Sequence, residues 1–174
     1  MPRRSLALAA LALAACTADA ARDPLAPPTP TAPSRSADSL PARPRILFSL
    51  ESQKCVDVLG ADRSAGAPVI VWACHGAENQ LWTFPDEGDA GEVRVYGDMC
   101  LDAAGGAHND GDAMIIWPCH GGSNQQWTRT PTGEFRGAGG QCVEVAGGLT
   151  DDGTPLRLWP CNGNQRFSPS PWDY

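Results

Sequence analysis

Short apolar runs, each bounded by glycine, aspartate or proline, recur along the chain from residue 45 onward. Such runs are typical of the short strands of an all-β protein. They predict strands over residues 46–50, 69–72, 93–96, 114–117, 135–136 and 156–159. No segment of residues 45–174 has the 3.6-residue period of an amphipathic helix. The pattern therefore predicts an all-β domain.

Alternation within three of these strands predicts which side chains face the core. The inward positions hold aliphatic residues: Val69, Val71, Met114, Ile116, Leu156 and Leu158. The intervening positions hold Ile70, Trp72, Ile115, Trp117, Arg157 and Trp159. This second set is expected to face away from the core, which leaves three tryptophans available to a ligand.

The same series of residues occurs three times. Each copy contains Cys-x-Asp or Cys-x-Glu, then an apolar run ending in Trp-x-Cys, then Asn-Gln-x-Trp or Asn-Gln-x-Phe. The copies cover about residues 45–90, 91–131 and 132–174. Three matched units indicate a repeat architecture whose units pack together to bury one core.

Six cysteines mark these repeats, two in each and 19 positions apart. The simplest pairing is Cys55–Cys74, Cys100–Cys119 and Cys142–Cys161, although six cysteines allow many connectivities. Zinc is the rival interpretation, since His75 and His120 directly follow cysteines, but zinc sites use more closely spaced ligands. Acidic clusters at 86–89 and 110–112 lack the ligand count of a calcium loop. We expect disulfides, no metal and no cofactor.

The seventh cysteine closes an N-terminal targeting segment over residues 1–16. Arg3 and Arg4 precede a short apolar stretch, which is typical of a signal peptide. The sequence up to Cys16 resembles a bacterial lipobox, which implies a lipid anchor on Cys16 and a cell-envelope lipoprotein. The alternative is cleavage after residues 18–20, which would release a secreted soluble protein. Residues 17–44 contain seven prolines and no aromatic residue, which predicts a disordered linker.

Charge and cysteine content restrict the partners. The chain has a net charge of −7, and residues 45–174 carry 8 basic against 17 acidic residues. This balance excludes a nucleic-acid or other polyanion partner, which needs a basic face. Paired cysteines indicate export to an oxidising compartment. We expect a monomer.

The repeated Cys-x-Asp, Trp-x-Cys and Gln-x-Trp motifs resemble those of the ricin B-type (R-type) lectin domain. The resemblance covers residues 45–174 and implies a β-trefoil of three pseudo-equivalent repeats that binds carbohydrate. A carboxylate accepts hydrogen bonds from sugar hydroxyls, a tryptophan ring packs on the C–H face of a sugar, and an amide both donates and accepts. By resemblance, the carbohydrate-binding residues of the first two repeats include the direct contacts Asp57, Trp72, Asn79, Asp102, Trp117 and Asn124. Gln80 and Gln125 would support them, and His75 and His120 would line the rim.

The third repeat departs from this pattern. Its corresponding residues are Glu144, Trp159, Asn164 and Gln165, and the segment after Cys161 is two residues shorter. Ile70, Ile115 and Arg157 stand where the family often has glutamine. We expect sites in the first two repeats and leave open whether the third binds or is a structural copy. The final aromatic residues of the motifs, Trp82, Trp127 and Phe167, are expected in the core.

These features together predict a non-catalytic lectin for neutral glycans, of galactose or xylose type by resemblance. Asp57 and Asp102 occupy equivalent positions in different repeats, which is too far apart for a catalytic carboxylate pair. The alternative function is a protein-interaction or inhibitory β-trefoil with vestigial sugar pockets.

Overall fold

The computed structural model describes residues 43–106 and 108–170. The predicted signal peptide, the lipidation of Cys16 and nearly all of the predicted linker lie outside these residues. The described part contains thirteen short strands, β1 (Arg45–Ser49), β2 (Lys54–Val58), β3 (Val69–Trp72), β4 (Leu81–Thr83), β5 (Ala90–Gly91), β6 (Arg94–Val95), β7 (Met99–Ala103), β8 (Met114–Pro118), β9 (Trp127–Arg129), β10 (Phe135–Gly137), β11 (Cys142–Val145), β12 (Leu156–Trp159) and β13 (Phe167–Pro169). Four 3₁₀ turns accompany them, Leu59–Ala61, Glu78–Gln80, Ser123–Gln125 and Ala146–Gly148.

Strand pairing follows a threefold pattern. Each repeat contributes four strands, β1 to β4, β6 to β9 and β10 to β13, and β5 is a short addition that pairs with β9. Within each repeat, the second strand pairs antiparallel with both the first and the third. The fourth strand of each repeat pairs with the first strand of the next, as β4–β6, β9–β10 and β13–β1. This closed cycle confirms the predicted β-trefoil.

The core combines side chains from all three repeats. All six positions predicted to face inward are at most 1 % exposed. Trp82, Trp127 and Phe167 are equally buried, which confirms their predicted structural role. The indole Nε1–H of Trp82 donates to the carbonyl oxygen of Val56 at 2.9 Å, so its one polar atom is satisfied inside the core.

The middle hairpin of each repeat carries the candidate functional residues. Its register places Asp57 opposite Ile70, Asp102 opposite Ile115 and Glu144 opposite Arg157. These side chains lie on the face opposite the core, as the alternation predicts. Ile70 is nevertheless only 3 % exposed, and its backbone forms an isolated bridge with Pro155 of the third repeat.

Disulfides close the same hairpins. Cys55–Cys74, Cys100–Cys119 and Cys142–Cys161 are bonded, with Cα separations of 5.0 to 5.1 Å, which confirms the predicted pairing. In the chain-entropy account, each constrains the unfolded chain by about 3 kcal/mol. Disulfides persist in oxidising compartments, so they support export. No helix in the described part of the chain has the length and apolarity needed to cross a membrane.

Candidate functional site

The first repeat forms an open concavity, here called site 1, over the β2–β3 hairpin. Strand β2 supplies Asp57, strand β3 ends at Trp72, and the 3₁₀ turn Glu78–Gln80 brings Asn79 alongside. The cavity has a volume of about 390 Å³. Its lining residues are Asp57, Leu59, Gly60, Ala61, Ile70, Trp72, His75 and Asn79. Trp72 is 40 % exposed, whereas Asp57 is buried at the base.

The two carboxylate oxygens of Asp57 differ in their partners. Oδ2 accepts hydrogen bonds from Gln80 Nε2 at 2.7 Å and Asn79 Nδ2 at 3.0 Å, and His75 Nε2 lies 3.3 Å away. Oδ1 has no donor among the described residues. Fixed donors therefore hold the carboxylate by one oxygen and leave the other available to ligand hydroxyls.

His75 lies at the rim of site 1 with its Nε2 close to the Asp57 carboxylate. Its Nδ1 accepts the Ala77 N–H at 3.2 Å, which assigns the proton of the neutral ring to Nε2. Nε2 then faces Asp57, and the imidazole side chain is 41 % exposed. His75 thus combines support of the carboxylate with a surface that a ligand can reach.

Gln80 lies behind site 1 and not in its lining. It is fully buried. Its Oε1 accepts the N–H groups of His75 and Gly76, and its Nε2 donates to Asp57 and to the Ala73 carbonyl. Gln80, expected to support the direct contacts, joins the segment after the disulfide to the carboxylate. Gln125 is equally buried and makes the equivalent bonds in the second repeat.

A ligand that donates hydrogen bonds to Asp57 should bind site 1 more weakly in acid. The loss should begin at a higher pH than that at which an ordinary aspartate becomes protonated. Burial raises the pKa of the Asp57 carboxyl above its usual 3.8, and hydrogen bonds from neighbouring side chains offset this only in part. Protonation removes the charged acceptor, so binding should fall as pH drops through this raised pKa. Calorimetry of an Asp102→Ala variant, which retains site 1 alone, should give a binding midpoint equal to the NMR titration of Asp57. A midpoint at or below 3.8 would contradict this account.

The second repeat builds an equivalent concavity, site 2, of about 310 Å³. It is lined by Asp102, Gly105, Gly106, Ile115, Trp117, His120 and Asn124. Gln125 Nε2 donates to Asp102 Oδ2 at 2.9 Å, and Oδ1 again lacks a donor among the described residues. Trp117 is 43 % exposed. Unlike Asn79, Asn124 makes no hydrogen bond to the carboxylate within the described part of the chain. The Asp102 carboxylate therefore has one fewer amide donor than Asp57.

The third repeat fills its own site. Arg157 Nε donates to Glu144 Oε2 at 2.9 Å, and the guanidinium carbon lies 4.0 Å from the centre of the Trp159 ring. The Arg157 side chain thus covers the face of the Trp159 ring and pairs with the Glu144 carboxylate. A cavity of about 20 Å³ lies beside Glu144, and Trp159 does not line it. Gln165 is buried there and donates to the Pro160 carbonyl, whereas Glu144 receives no bond from it.

Comparison with known proteins places this geometry in a family. Residues 44–167 match the ricin-type beta-trefoil lectin domain. The chain belongs to this lectin family. Its lectin domain therefore belongs among domains that bind carbohydrate, and domains of the family are generally non-catalytic.

Solved structures of other proteins share the fold of the lectin domain. The designed threefold-symmetric protein ThreeFoil is 28 % identical, with a TM-score of 0.65 over 71 % of this chain and 96 % of that one. An exo-β-1,3-galactanase from Clostridium thermocellum is 24 % identical, with a TM-score of 0.66 over 75 % of this chain and 30 % of that one. The C-half of an earthworm R-type lectin, in complex with GalNAc, is 18 % identical, with a TM-score of 0.59 over 74 % and 97 %.

The lectin domain also uses residues that the repeat motif did not reveal. Asp152 of the third repeat accepts the Ala73 N–H at 2.8 Å and pairs with Lys54 at 2.8 Å. Lys54 and this backbone bond hold the pKa of Asp152 below its usual value. Asp152 thereby fixes the strand end that carries Trp72. No sequence signal identifies it, because it lies 79 positions from Ala73.

Proposed function

We propose that this lectin domain binds neutral glycans of galactose or xylose type at sites 1 and 2. One observation carries the proposal. In each open concavity, a carboxylate is anchored by Oδ2 while Oδ1 remains available, and an exposed tryptophan stands beside it. Vicinal hydroxyls can donate to that oxygen while the C–H face of the ring packs on the indole.

The charge of the domain and its structural neighbours support a neutral, galactose-type sugar as the ligand. The acidic excess of residues 45–174 disfavours anionic glycans. Among the structural neighbours, the earthworm lectin was solved with GalNAc and the Clostridium protein is a galactanase. The xylose alternative rests on the resemblance of His75 and His120 to rim residues of modules attached to xylanases.

In this proposal the protein binds glycans without catalysis and is tethered to the cell envelope. Asp57 and Asp102 stand in separate repeats, so they do not form a carboxylate pair around one bond. Both concavities are open, so neither excludes water as a catalytic site does. Lipidation of Cys16 would hold the exported domain at the cell envelope, and two sites on one polysaccharide would bind with avidity.

A protein-interaction function is the second candidate. Ile70 and Ile115 give each concavity an apolar wall where the family often has glutamine. An apolar wall can receive a side chain of a partner protein as well as the C–H face of a sugar. A glycan array distinguishes the two candidates, because a vestigial lectin would retain no sugar.

Calorimetric stoichiometry tests the sugar proposal. Wild type should bind its best array sugar at two sites. Asp57→Ala and Asp102→Ala should each weaken one site about 10- to 150-fold, which is the loss of a hydrogen bond to a charged acceptor. The double variant should lose measurable binding.

Glu144→Ala is the matched control, since the same position of the third repeat is already occupied by Arg157. It should leave two sites. No sugar bound by wild type, or unchanged binding by the double variant, would refute the proposal.

A further inference from the structure

A further concavity, here called the extension cleft, lies between the first and second repeats. Its volume of about 430 Å³ exceeds that of either site. It is lined by Pro44, Arg63, Glu78, Leu81, Thr83, Arg94, Tyr96 and Gly97. None of these residues lines site 1 or site 2. The repeated sugar-binding motif therefore does not account for it.

The chemistry of the extension cleft suits a neutral, hydroxyl-rich ligand. Arg63 pairs with Glu78, and the guanidinium of Arg94 pairs with Glu92, so each cation has an adjacent anion. Guanidinium and carboxylate groups form bidentate hydrogen bonds, the former as donors and the latter as acceptors. Leu81 and the Tyr96 ring add apolar surface. Balanced charge with mixed polar and apolar walls favours a sugar over an anion.

The Tyr96 hydroxyl lacks a hydrogen-bond partner among the described residues. It is also excluded from solvent. Leaving a buried hydroxyl without a hydrogen bond is unfavourable, and a ligand hydroxyl that paired with it would remove this cost. The Arg63 guanidinium lies 4.4 Å from the Tyr96 ring centre, but the Arg63 and Glu78 side chains are 61 % and 74 % exposed. An ion pair this exposed contributes little stability, so it can open readily.

The extension cleft adjoins site 1. Glu78 lines the cleft and Asn79, the next residue, lines site 1, with adjacent Cα atoms about 3.8 Å apart. Ala61 of site 1 and Arg63 of the cleft are also close in sequence, two positions apart. We propose that the cleft is a continuation of site 1 which holds further units of an oligosaccharide. This inference rests on the proposed sugar binding at site 1.

The second repeat differs at two of the residues that line the extension cleft. At the same distances from their cysteines, His108 replaces Arg63 and Ala138 replaces the aromatic Tyr96. His108 packs so closely on Gly139 that a Cβ added there would lie 2.6 Å from the histidine Cβ, and its ring contacts Ser123. Site 2 should therefore bind single sugars, while site 1 prefers longer chains.

Dependence of affinity on chain length tests the inference. The probes are β-1,3-galactooligosaccharides and β-1,4-xylooligosaccharides of increasing length, together with their monosaccharides. In the Asp102→Ala protein, where site 1 alone remains, affinity should rise at least about tenfold from monosaccharide to tetrasaccharide. In the Asp57→Ala protein, where site 2 alone remains, affinity should stay flat.

Cross-strand partners provide matched variants. Thr83 and Arg94 pair across β4 and β6, and Thr128 and Arg136 pair at the equivalent positions across β9 and β10. In the Asp102→Ala background, Thr83→Val/Arg94→Ala should abolish the gain with length and leave monosaccharide affinity unchanged. Thr128→Val/Arg136→Ala should change neither.

Three outcomes separate the hypotheses. A flat response in the Asp102→Ala protein, with monosaccharide binding intact, would overturn the cleft and leave the proposed function standing. A gain that survives Thr83→Val/Arg94→Ala would also overturn it. Absence of all sugar binding in wild type would refute the proposed function itself, and the inference with it.

Discussion

An Arg157→Gln/Glu144→Asp variant is expected to bind sugar at three sites, one more than the two proposed for wild type. In wild type, the Arg157 guanidinium makes the two contacts that a sugar would make, one with the Trp159 ring and one with Glu144. Because that partner is part of the same chain, a soluble sugar must displace it at the expense of a charge-assisted hydrogen bond.

Both substitutions are needed to recreate the arrangement of the other repeats. Removing Arg157 alone would leave the nearly buried Glu144 carboxylate without its partner, which is costly. Aspartate withdraws the carboxylate by one methylene, and glutamine supplies a neutral group across the hairpin. The gain should appear in calorimetry as a third equivalent, with affinity within about tenfold of sites 1 and 2.

The reverse exchange is the matched control. Ile115→Arg/Asp102→Glu places the third repeat's pair in the second repeat, where Ile115 lies opposite Asp102 in the same register as Arg157 and Glu144. It should reduce binding to one equivalent. A folded Arg157→Gln/Glu144→Asp protein that still binds at two sites would show that the shortened segment after Cys161 closes the site.

Gln80→Leu should both abolish binding at site 1 and destabilise the domain by about 2–4 kcal/mol. The change preserves approximate volume but removes four hydrogen bonds from a fully buried side chain. Backbone groups of residues 73, 75 and 76 would lose their partner inside the protein. Asp57 would lose its closest hydrogen-bond donor, which lies 2.7 Å from Oδ2. Without that bond the carboxylate can rotate, and Oδ1 is no longer fixed toward the ligand. Urea denaturation and calorimetry measure the two effects.

The Gln165→Leu variant is the control that separates the effect on stability from the effect on sugar binding. Gln165 is as buried as Gln80 but makes backbone bonds alone, to Asn162 N–H and the Pro160 carbonyl. It should cost about 1–2 kcal/mol and leave both sugar sites unchanged. Full sugar affinity at site 1 in the Gln80→Leu protein would show that Asn79 and His75 suffice to hold Asp57.

Repetition made most of the fold predictable. Equal spacing of the cysteines implied both the disulfides and three equivalent units, and alternation in β3, β8 and β12 located their inner faces. Strands β2, β7 and β11 escaped prediction because both of their faces are buried, so no alternation marks them. Strands β4, β9 and β13 are three residues long, which is too short for a periodic signal.

The sites were predictable as residue sets but not as geometry. Asp57, Trp72, His75 and Asn79, which the motif set together, line one concavity. Sequence could mark Arg157 as a departure, yet its contact with the Trp159 ring depends on side-chain direction across a hairpin. The extension cleft combines residues of two repeats, so no single motif contains it.

The pairing of β13 with β1 has a consequence for how the chain can be cut. The cycle of strand pairs is closed although the polypeptide is linear. A circular permutant opened in the loop between β4 and β5 would therefore retain every strand pair. Loss of β13 would instead leave the β1 edge unpaired from Leu47 to Ser49. Unpaired edges recruit strands from other molecules, so the last strand protects the domain from self-association.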